Sequence, residues 1–276
     1  MASELTPSRC AINTATLGFQ KPLTETIEAI ARAGFGAIAP WRREVEGGDV
    51  AAIARQIRDA GLAVTGYCRS TYIPAVDRAG FEANLAANRR AIDDAAMLGA
   101  QSFVIVCGGL PVGSRDLAAA RAQVLEATVA LAGYARPASV KIALEPLHPI
   151  YAADRACLNT VAQALAMAQA AGPDVGLCLD VYHIWWDPDL SAAIARCRGR
   201  ILGFHVCDWL APTRDMLNDR GMMGDGVIEI PAIRAAVVAA GYAGFTEVEI
   251  FSAENWWRRP VEETLAVCKA RLASHC

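Results

Sequence analysis

The sequence lacks the signatures of a nucleic-acid or membrane partner. Its 276 residues contain no block of basic residues, and the net charge is −3 at pH 7. This pattern does not favour a polyanionic partner or a membrane surface. No apolar run is long enough to span a membrane. The first ten residues, MASELTPSRC, lack an apolar run behind a basic head and are not typical of a secretory signal.

Paired cysteines are also lacking. The nine cysteines occur singly, and none forms a CxxC pair. Several lie in apolar, strand-like runs, where cysteine behaves as a small hydrophobic residue. We therefore expect reduced thiols in a cytoplasmic protein rather than a disulfide framework.

What the chain does have is a regular alternation of short apolar runs and alanine-rich helical segments. Glycines such as Gly34, Gly61 and Gly99 follow the helical segments, as expected at helix ends. Near-continuous apolar runs are typical of parallel strands covered on both faces. The predicted strands are 10–14, 37–40, 62–67, 102–107, 141–145, 175–180, 201–206 and 245–250.

Eight strand–helix units without a Pro/Gly/Ser-rich linker predict one domain over residues 1–276. The predicted fold is a single (β/α)8 TIM barrel of the α/β class. An open doubly wound sheet would favour a glycine fingerprint after an early strand, and the sequence has none.

Four consecutive predicted strands carry an acid or a histidine at or near the tip. These residues are Glu145 in KIALEP, Asp180 in LCLD, His205 in ILGFHVCD and Glu249 in FTEVEIF. Active sites of TIM barrels lie at the carboxyl ends of the strands, and buried charges are costly unless they are paired or coordinated. Three carboxylates and one imidazole suit Mn²⁺, Mg²⁺, Co²⁺ or Zn²⁺. We expect one divalent metal per chain, with Mn²⁺ as the first expectation.

The last predicted strand offers two acids, Glu247 and Glu249. They share strand parity and therefore point to the same side. Glu249 is nearer the mouth if that side is the barrel interior, which makes it the better ligand. Glu247 would lie one layer deeper and remains an alternative ligand.

Histidines and aromatic residues near the predicted mouth are candidate substrate contacts. His183 and His148 each follow a strand-tip acid by three residues, and a histidine there can hydrogen-bond a substrate hydroxyl or carbonyl. Trp41 and Trp185 could stack on the C–H faces of a sugar. Arg69 and Tyr72 also follow a predicted strand. The alternatives are a structural role for each histidine and plain packing for each aromatic ring.

The chain resembles a known family. ALEPLHP, LDVYH, FHVCDW, GDGVIEIP and VEIFS, in this order, resemble the xylose isomerase-like TIM barrels, the sugar phosphate isomerase/epimerase group. The resemblance covers nearly the whole chain and is densest from residue 141 to residue 252. In the ketose 3-epimerases of this group, Glu, Asp, His and Glu of the last four strands hold one divalent metal. The resemblance assigns these roles to Glu145, Asp180, His205 and Glu249.

The resemblance also implies substrate contacts. His183 matches the substrate-binding histidine of LDxxH. The family's arginine after the strand-seven histidine corresponds to Arg214 or Arg220, because the loop here is longer. Asp225, in GDG, would orient a site residue or shape the turn before the last strand–helix unit.

The implied reaction is isomerisation or epimerisation of a keto-sugar or keto-polyol. Glu145 and Glu249 would stand on opposite faces of the reacting carbon, one removing a proton and the other returning one. The reaction would proceed through an enediolate bound to the metal. The implied partner is a small sugar or polyol, without nucleic acid or membrane, and a homo-dimer or homo-tetramer is left open.

Three alternatives are weighed against this function. The first is a lyase of the inosose dehydratase or dehydroshikimate dehydratase type, which would lose water from the same enediolate. The second is a non-catalytic sugar-binding barrel. The third is a nuclease of the endonuclease IV type, which needs a histidine-rich three-metal cluster, whereas this chain has four histidines and no basic face.

Overall fold

A computed structural model of the chain describes residues 5–276. Nine of its strands form one parallel sheet, and two form a small antiparallel pair. In chain order the strands are β1 (Cys10–Asn13), β2 (Ala37–Ala39), β3 (Ala63–Val64), β4 (Gly66–Tyr67), β5 (Ser102–Ile105), β6 (Lys141–Leu144), β7 (Val175–Asp180), β8 (Ile201–Val206), β9 (Asp208–Trp209), β10 (Arg220–Gly221) and β11 (Thr246–Val248).

The parallel sheet closes into a single (β/α)8 TIM barrel. Its order is β3-β2-β1-β11-β8-β7-β6-β5-β4, and β3 and β4 are separated along the chain by Thr65 alone. These two short strands therefore occupy one position in the barrel, which joins the two ends of the sheet. The strand predicted at 62–67 is interrupted at Thr65, whose hydroxyl donates to Glu247 Oε2 at 2.6 Å. The predicted fold class is confirmed.

The helices surround the barrel and begin at short polar caps. Asp77, Asp116 and Thr160 each accept a hydrogen bond from a backbone N–H in the first turn of the helix that follows, which satisfies an amide that the helix itself leaves free. Gly99 ends the longest helix with a φ of 72°, a conformation that glycine adopts without strain. The helices are α1 (Leu23–Arg32), α2 (Arg42–Val45), α3 (Val50–Asp59), α4 (Arg78–Leu98), α5 (Leu117–Ala135), α6 (Val161–Ala171), α7 (Val181–Ile184), α8 (Leu190–Arg196), α9 (Ile230–Ala239) and α10 (Val261–His275).

The apolar core lies mainly between the strands and the helices. A second, small cluster of Cys68, Val104, Ala143 and Cys178 lies apart from it. All nine cysteines are free thiols, and eight of them are buried. Among the described residues, no helix combines the length and the apolar character that a membrane span requires.

The antiparallel pair β9–β10 was not predicted, because each strand has only two residues and shows no apolar alternation. It folds the segment after β8 back towards the mouth of the barrel. The backbone N–H of Arg220 donates to the carbonyl of Phe251 at 2.8 Å. The Asp208 carboxylate accepts from the backbone N–H groups of Gly224 and Ile228. These contacts bring Arg220 to the carboxyl ends of the strands.

Candidate metal centre and substrate cavity

Four side chains from neighbouring strands converge at the mouth of the barrel. Glu145 follows β6, Asp180 ends β7, His205 lies near the end of β8 and Glu249 follows β11. One ligand atom from each lies within 4.8 Å of all the others. His205 Nδ1 is 3.7 Å from Glu145 Oε1 and 3.4 Å from Glu249 Oε2. Parallel register produces this convergence, since Asp180 pairs with His205 across β7 and β8.

This arrangement fits a divalent cation. All four side chains are at most 6% exposed. Glu145 Oε1 and His205 Nδ1 are buried without a hydrogen-bond partner among the described residues, although buried polar atoms normally have one. Three carboxylates and one imidazole are the donors that Mn²⁺, Mg²⁺, Co²⁺ and Zn²⁺ accept. The orphaned atoms therefore face the point that a shared cation would occupy.

Glu247 lies deeper than the four converging atoms. Its Oε1 accepts from Asn13 Nδ2 at 2.9 Å and lies 3.2 Å from His205 Nε2, and its Oε2 accepts from Thr65. Both carboxylate oxygens thus have partners. A carboxylate on the far nitrogen of a histidine fixes the ring and its tautomer, which leaves Nδ1 free for a metal. The geometry favours Glu249 over Glu247 as a ligand.

Cys178 offers a second grouping around His205. Its Sγ lies 3.2 Å from His205 Nε2, and Glu145, Cys178 and His205 also have ligand atoms close together. Burial raises the pKa of the Cys178 thiol to about 12. Because the thiolate is the form that binds metals, the group with three carboxylates is the better cation site.

The two glutamates that face the cavity have opposite electrostatic environments. Burial, with Glu249 beside it, raises the pKa of Glu145 to about 8. Burial would also raise the pKa of Glu249, but the neighbouring charges of His205 and Arg220 overcome it and hold that pKa at about 2. A bound cation would favour the charged form of both. Such a divergence between two carboxylates is a common mark of acid–base sites.

His183 lies beside this cluster, with a hydrogen-bond donor near each of its ring nitrogens. Burial lowers the pKa of His183 to about 3, so the ring is neutral. Its Nδ1 accepts from the backbone N–H of His148 at 3.3 Å, and Nη2 of Arg220, which can only donate, lies 3.3 Å from Nε2. Nε2 lies 3.7 Å from Asp180 Oδ2. The ring also lines the cavity above the cluster.

Arg220 joins the acids of the cluster. Its guanidinium donates to Asp180 Oδ2 at 2.8 Å and to Glu249 Oε2 at 3.3 Å. It lies over the rings of Tyr182 and Phe251 at 4.4 Å and 4.8 Å. A buried arginine held in this way balances the negative charge of the cluster and fixes both carboxylates.

A cavity of about 380 Å³ opens above the cluster, and Glu145, Glu249, His183 and Arg220 line it. Trp41 lines it as well, and its indole N–H donates to Asn13 Oδ1 at 2.6 Å. Volumes of this order are typical of small-molecule sites. The structure therefore brings these predicted site residues to one cavity.

The other four predicted substrate contacts lie elsewhere. His148 stacks on Trp209, with 5.1 Å between ring centroids, and Trp185 packs on the same ring. Arg214 is largely exposed and pairs with Asp219, and Asp225 pairs with Arg271 of α10 at 2.8 Å. None of the four lines the cavity. The structure thus places Arg220, and not Arg214, at the site.

Several cavity residues escaped the sequence analysis. They follow the ends of strands or lie in connecting loops, and they are Phe19, Arg43, Tyr151, Arg155, Leu217, Asn218, Phe251 and Trp257. The sequence could have indicated Phe251, because it lies two residues after Glu249 and shares its strand parity. It could not have indicated the loop residues, because loop length does not determine which side chain turns towards the mouth.

Comparisons with known proteins agree with this fold. The sequence model of the xylose isomerase-like TIM barrel family matches residues 27–271. Protein SMc04130 from Sinorhizobium meliloti 1021 is 50% identical, with a TM-score of 0.95 over 97% of this chain and 98% of that one.

Two further proteins are more distant. L-ribulose 3-epimerase of Mesorhizobium japonicum (strain LMG 29417 / CECT 9101 / MAFF 303099) is 28% identical over 242 residues, 85% of this chain and 77% of that protein. The IOLI protein, solved with a binding zinc atom, has a TM-score of 0.82 at 20% identity over 95% of this chain and 96% of that one. The similarity to the IOLI protein shows that the two chains share a fold.

Proposed function

The chain belongs to the xylose isomerase-like TIM barrel family, and we propose that it is a divalent-metal-dependent epimerase or isomerase of a keto-sugar or keto-polyol. Its relatives indicate a sugar epimerase or isomerase at the coarse level. The observation that carries the proposal is the convergence of four buried ligand atoms within 4.8 Å beneath a cavity of small-molecule size.

Glu145, Asp180, His205 and Glu249 would hold the metal. A divalent cation in this position supplies Lewis acidity, which polarises a ketose carbonyl and acidifies the neighbouring C–H bond. The zinc atom in the IOLI protein supports a metal role for this fold. Within residues 5–276, both groups that could hold a metal share Glu145 and His205, which favours one metal site and disfavours a three-metal nuclease.

Glu145 and Glu249 would exchange the proton with the substrate carbon. They come from different strands and both line the cavity, so a ketose carbon between them would present one face to each. If one glutamate removes the proton and the other returns one to the opposite face, the configuration of that carbon is inverted. His183, which lines the cavity, would hydrogen-bond a substrate oxygen, and Arg220 would hold Asp180 and Glu249 in place.

The aromatic wall would shield this exchange from water. Trp41 meets Phe251 edge to face, with 5.4 Å between ring centroids, and Phe251 lies 5.9 Å from Trp257. All three line the cavity. Aromatic faces pack on the C–H groups of a sugar and exclude solvent from the reacting carbon.

A solvent-exchange screen tests the proposal. The protein, supplied in turn with Mn²⁺, Mg²⁺, Co²⁺ or Zn²⁺, is incubated with a panel of ketoses and keto-polyols in D₂O and followed by NMR. We expect deuterium at a carbon next to the carbonyl, together with a new epimer or isomer. Water loss in place of rearrangement would identify a lyase instead. Absence of deuterium from every substrate with every metal would refute the enolisation chemistry.

A further inference from the structure

The substrate cavity has an acidic floor and basic side chains in its more exposed part. Among residues 5–276, the only carboxylates that line it are those of Glu145 and Glu249, and both are buried. Arg43, Arg69 and Arg155 line the same cavity and are exposed or half-buried. The chain carries a net charge of −3, so this concentration of positive charge is local to the opening.

Two of these arginines lie where the cavity meets a second one. Arg43 and Arg69, with Trp41 and Tyr72, line both the substrate cavity and an adjoining, more open space of about 830 Å³. A group that binds between these two arginines would therefore occupy the same cavity as the metal cluster and still remain accessible from solvent.

Both guanidinium groups are positioned by aromatic rings. Arg43 lies over Phe19, with 4.3 Å from its central carbon to the ring centroid, and Arg69 lies over Tyr72 at 4.8 Å. Stacking fixes the plane of a guanidinium and leaves the N–H donors at its edge free. The rings thus restrict the two arginines without using their hydrogen-bonding capacity.

Within the described part of the chain, neither Arg43 nor Arg69 forms an ion pair with an acid. Over residues 5–276, no carboxylate oxygen lies within 4.0 Å of Arg43 or Arg69, whereas the adjacent Arg42 pairs with Glu46 at 2.6 Å. Arg155 faces Asp154 at 4.0 Å. The planar guanidinium of arginine binds carboxylate and phosphate groups, often through two parallel hydrogen bonds. Two stacked, unpaired arginines facing one cavity are suited to receive such a group from a ligand.

We propose that Arg43 and Arg69 form a subsite for a terminal oxyanion, a carboxylate or a phosphate, of the keto-sugar that this cavity binds. The assignment of the ligand as a keto-sugar rests on the proposed function; the anion preference itself does not depend on turnover. The substrate class is then an acidic ketose, with its carbonyl end at the floor and its charged end between the two arginines.

A matched ligand series tests the subsite by calorimetry with the metal-loaded protein. D-Fructose, D-fructuronate and D-fructose 6-phosphate differ only at the terminal carbon, and D-ribulose with D-ribulose 5-phosphate provides a shorter pair. We expect a charged member to bind at least about 10-fold more tightly than its neutral counterpart, as for one charge-assisted contact. The carboxylate and phosphate arms identify which oxyanion the subsite prefers.

Arginine variants locate the effect. Arg43→Gln and Arg69→Gln should each weaken the charged ligand about 10-fold and leave the neutral one unchanged. The matched control is Arg58→Gln, which removes the same charge from the last turn of α3, at the opposite end of the barrel from the cavity. Added salt should weaken the charged ligand more in the wild type than in either variant.

Two outcomes would overturn the subsite: neutral ligands that bind as tightly as every charged counterpart, or a charge preference that is undiminished in both variants. Failure of every charged ligand to bind would do the same. The D₂O screen run on the same ligands separates the two proposals. Charge preference without exchange contradicts the enolisation chemistry alone, and exchange without charge preference contradicts the subsite alone.

Discussion

The floor and the rim of the cavity are built in opposite ways. At the floor, Asp180 and His205 are at most 2% exposed and contact other ionisable groups. At the rim, Arg43 is exposed and stacks on an aromatic ring. The floor lies on or next to paired parallel strands, and the rim lies on α2 and on the loops that follow the strands. Strand register can hold reactive groups in place at the floor, while the loops at the rim can vary to select the substrate.

The largest effect should come from the floor acids that face the cavity. Glu145→Gln and Glu249→Gln remove the groups proposed to take and return the substrate proton. General acid–base groups contribute about 10² to 10⁴-fold, so we expect the deuterium-exchange rate to fall by about 10³-fold in each variant. NMR in D₂O with saturating metal measures this rate.

The control for these variants is Glu254→Gln, which makes the same change at an exposed residue paired with Arg258. It should exchange deuterium at the wild-type rate. A Glu145→Gln or Glu249→Gln variant that keeps full exchange and a normal melting temperature would remove that residue from the proton-transfer role.

A smaller effect should follow from the deeper acid. Glu247→Gln replaces the carboxylate that lies 3.2 Å from His205 Nε2 with a neutral amide. The imidazole should then be held less firmly with Nδ1 towards the metal. Outer-shell carboxylates of this kind affect metal affinity by about 10 to 100-fold. Titration of the metal-free protein with Co²⁺, followed by its visible absorption, gives the affinity. Unchanged Co²⁺ affinity would show that Glu247 does not orient the ligand.

Metal removal should make stability depend on pH. Burial raises the pKa of Glu145 to about 8, and His205 has a pKa raised above its ordinary 6.5 because Cys178, Glu247 and Glu249 outweigh its burial. A raised folded-state pKa contributes stability at low pH that is lost as pH rises through it. The melting temperature of the chelated protein should therefore fall between pH 6.5 and pH 8.

The pH window isolates these two groups. His183 has a pKa lowered to about 3 by burial, so its own effect on stability is complete by pH 6.5. Circular dichroism melts of metal-free wild type and Glu145→Gln should show a flatter pH dependence in the variant. Metal-loaded protein should show no such fall, because metal binding favours deprotonated ligands. Parallel pH curves for the two metal-free proteins would contradict the assignment.

The smallest effect should come from the aromatic wall. Trp257 lines the cavity and donates its indole N–H to the carbonyl of Ala15 at 2.7 Å. Trp257→Phe should raise KM about 3-fold with kcat unchanged, as expected for one neutral hydrogen bond. Trp185→Phe is the control, because Trp185 lies outside the cavity and its indole N–H has no hydrogen-bond partner in the part of the chain that the structure describes. Equal KM changes in both variants would contradict a role for this wall.

Much of the fold could be predicted because apolar periodicity is a local property. The strands predicted at 175–180 and 201–206 agree with β7 and β8. The strand at 62–67 was interrupted because Thr65 turns its hydroxyl to Glu247 across the barrel. That contact joins residues 182 positions apart, and no local sequence pattern predicts it.

The sequence by itself determined the barrel and the convergence of Glu145, Asp180, His205 and Glu249, because carboxyl ends of parallel strands meet at one edge. Only the tertiary structure decided which residues of the long loops reach that edge. Arg220 arrives because β9 and β10 fold the loop back, while Arg214 turns to Asp219. Loop closure depends on contacts between distant segments, such as that of Arg220 with Phe251. The positions of residues at strand ends depend only on the register between neighbouring strands.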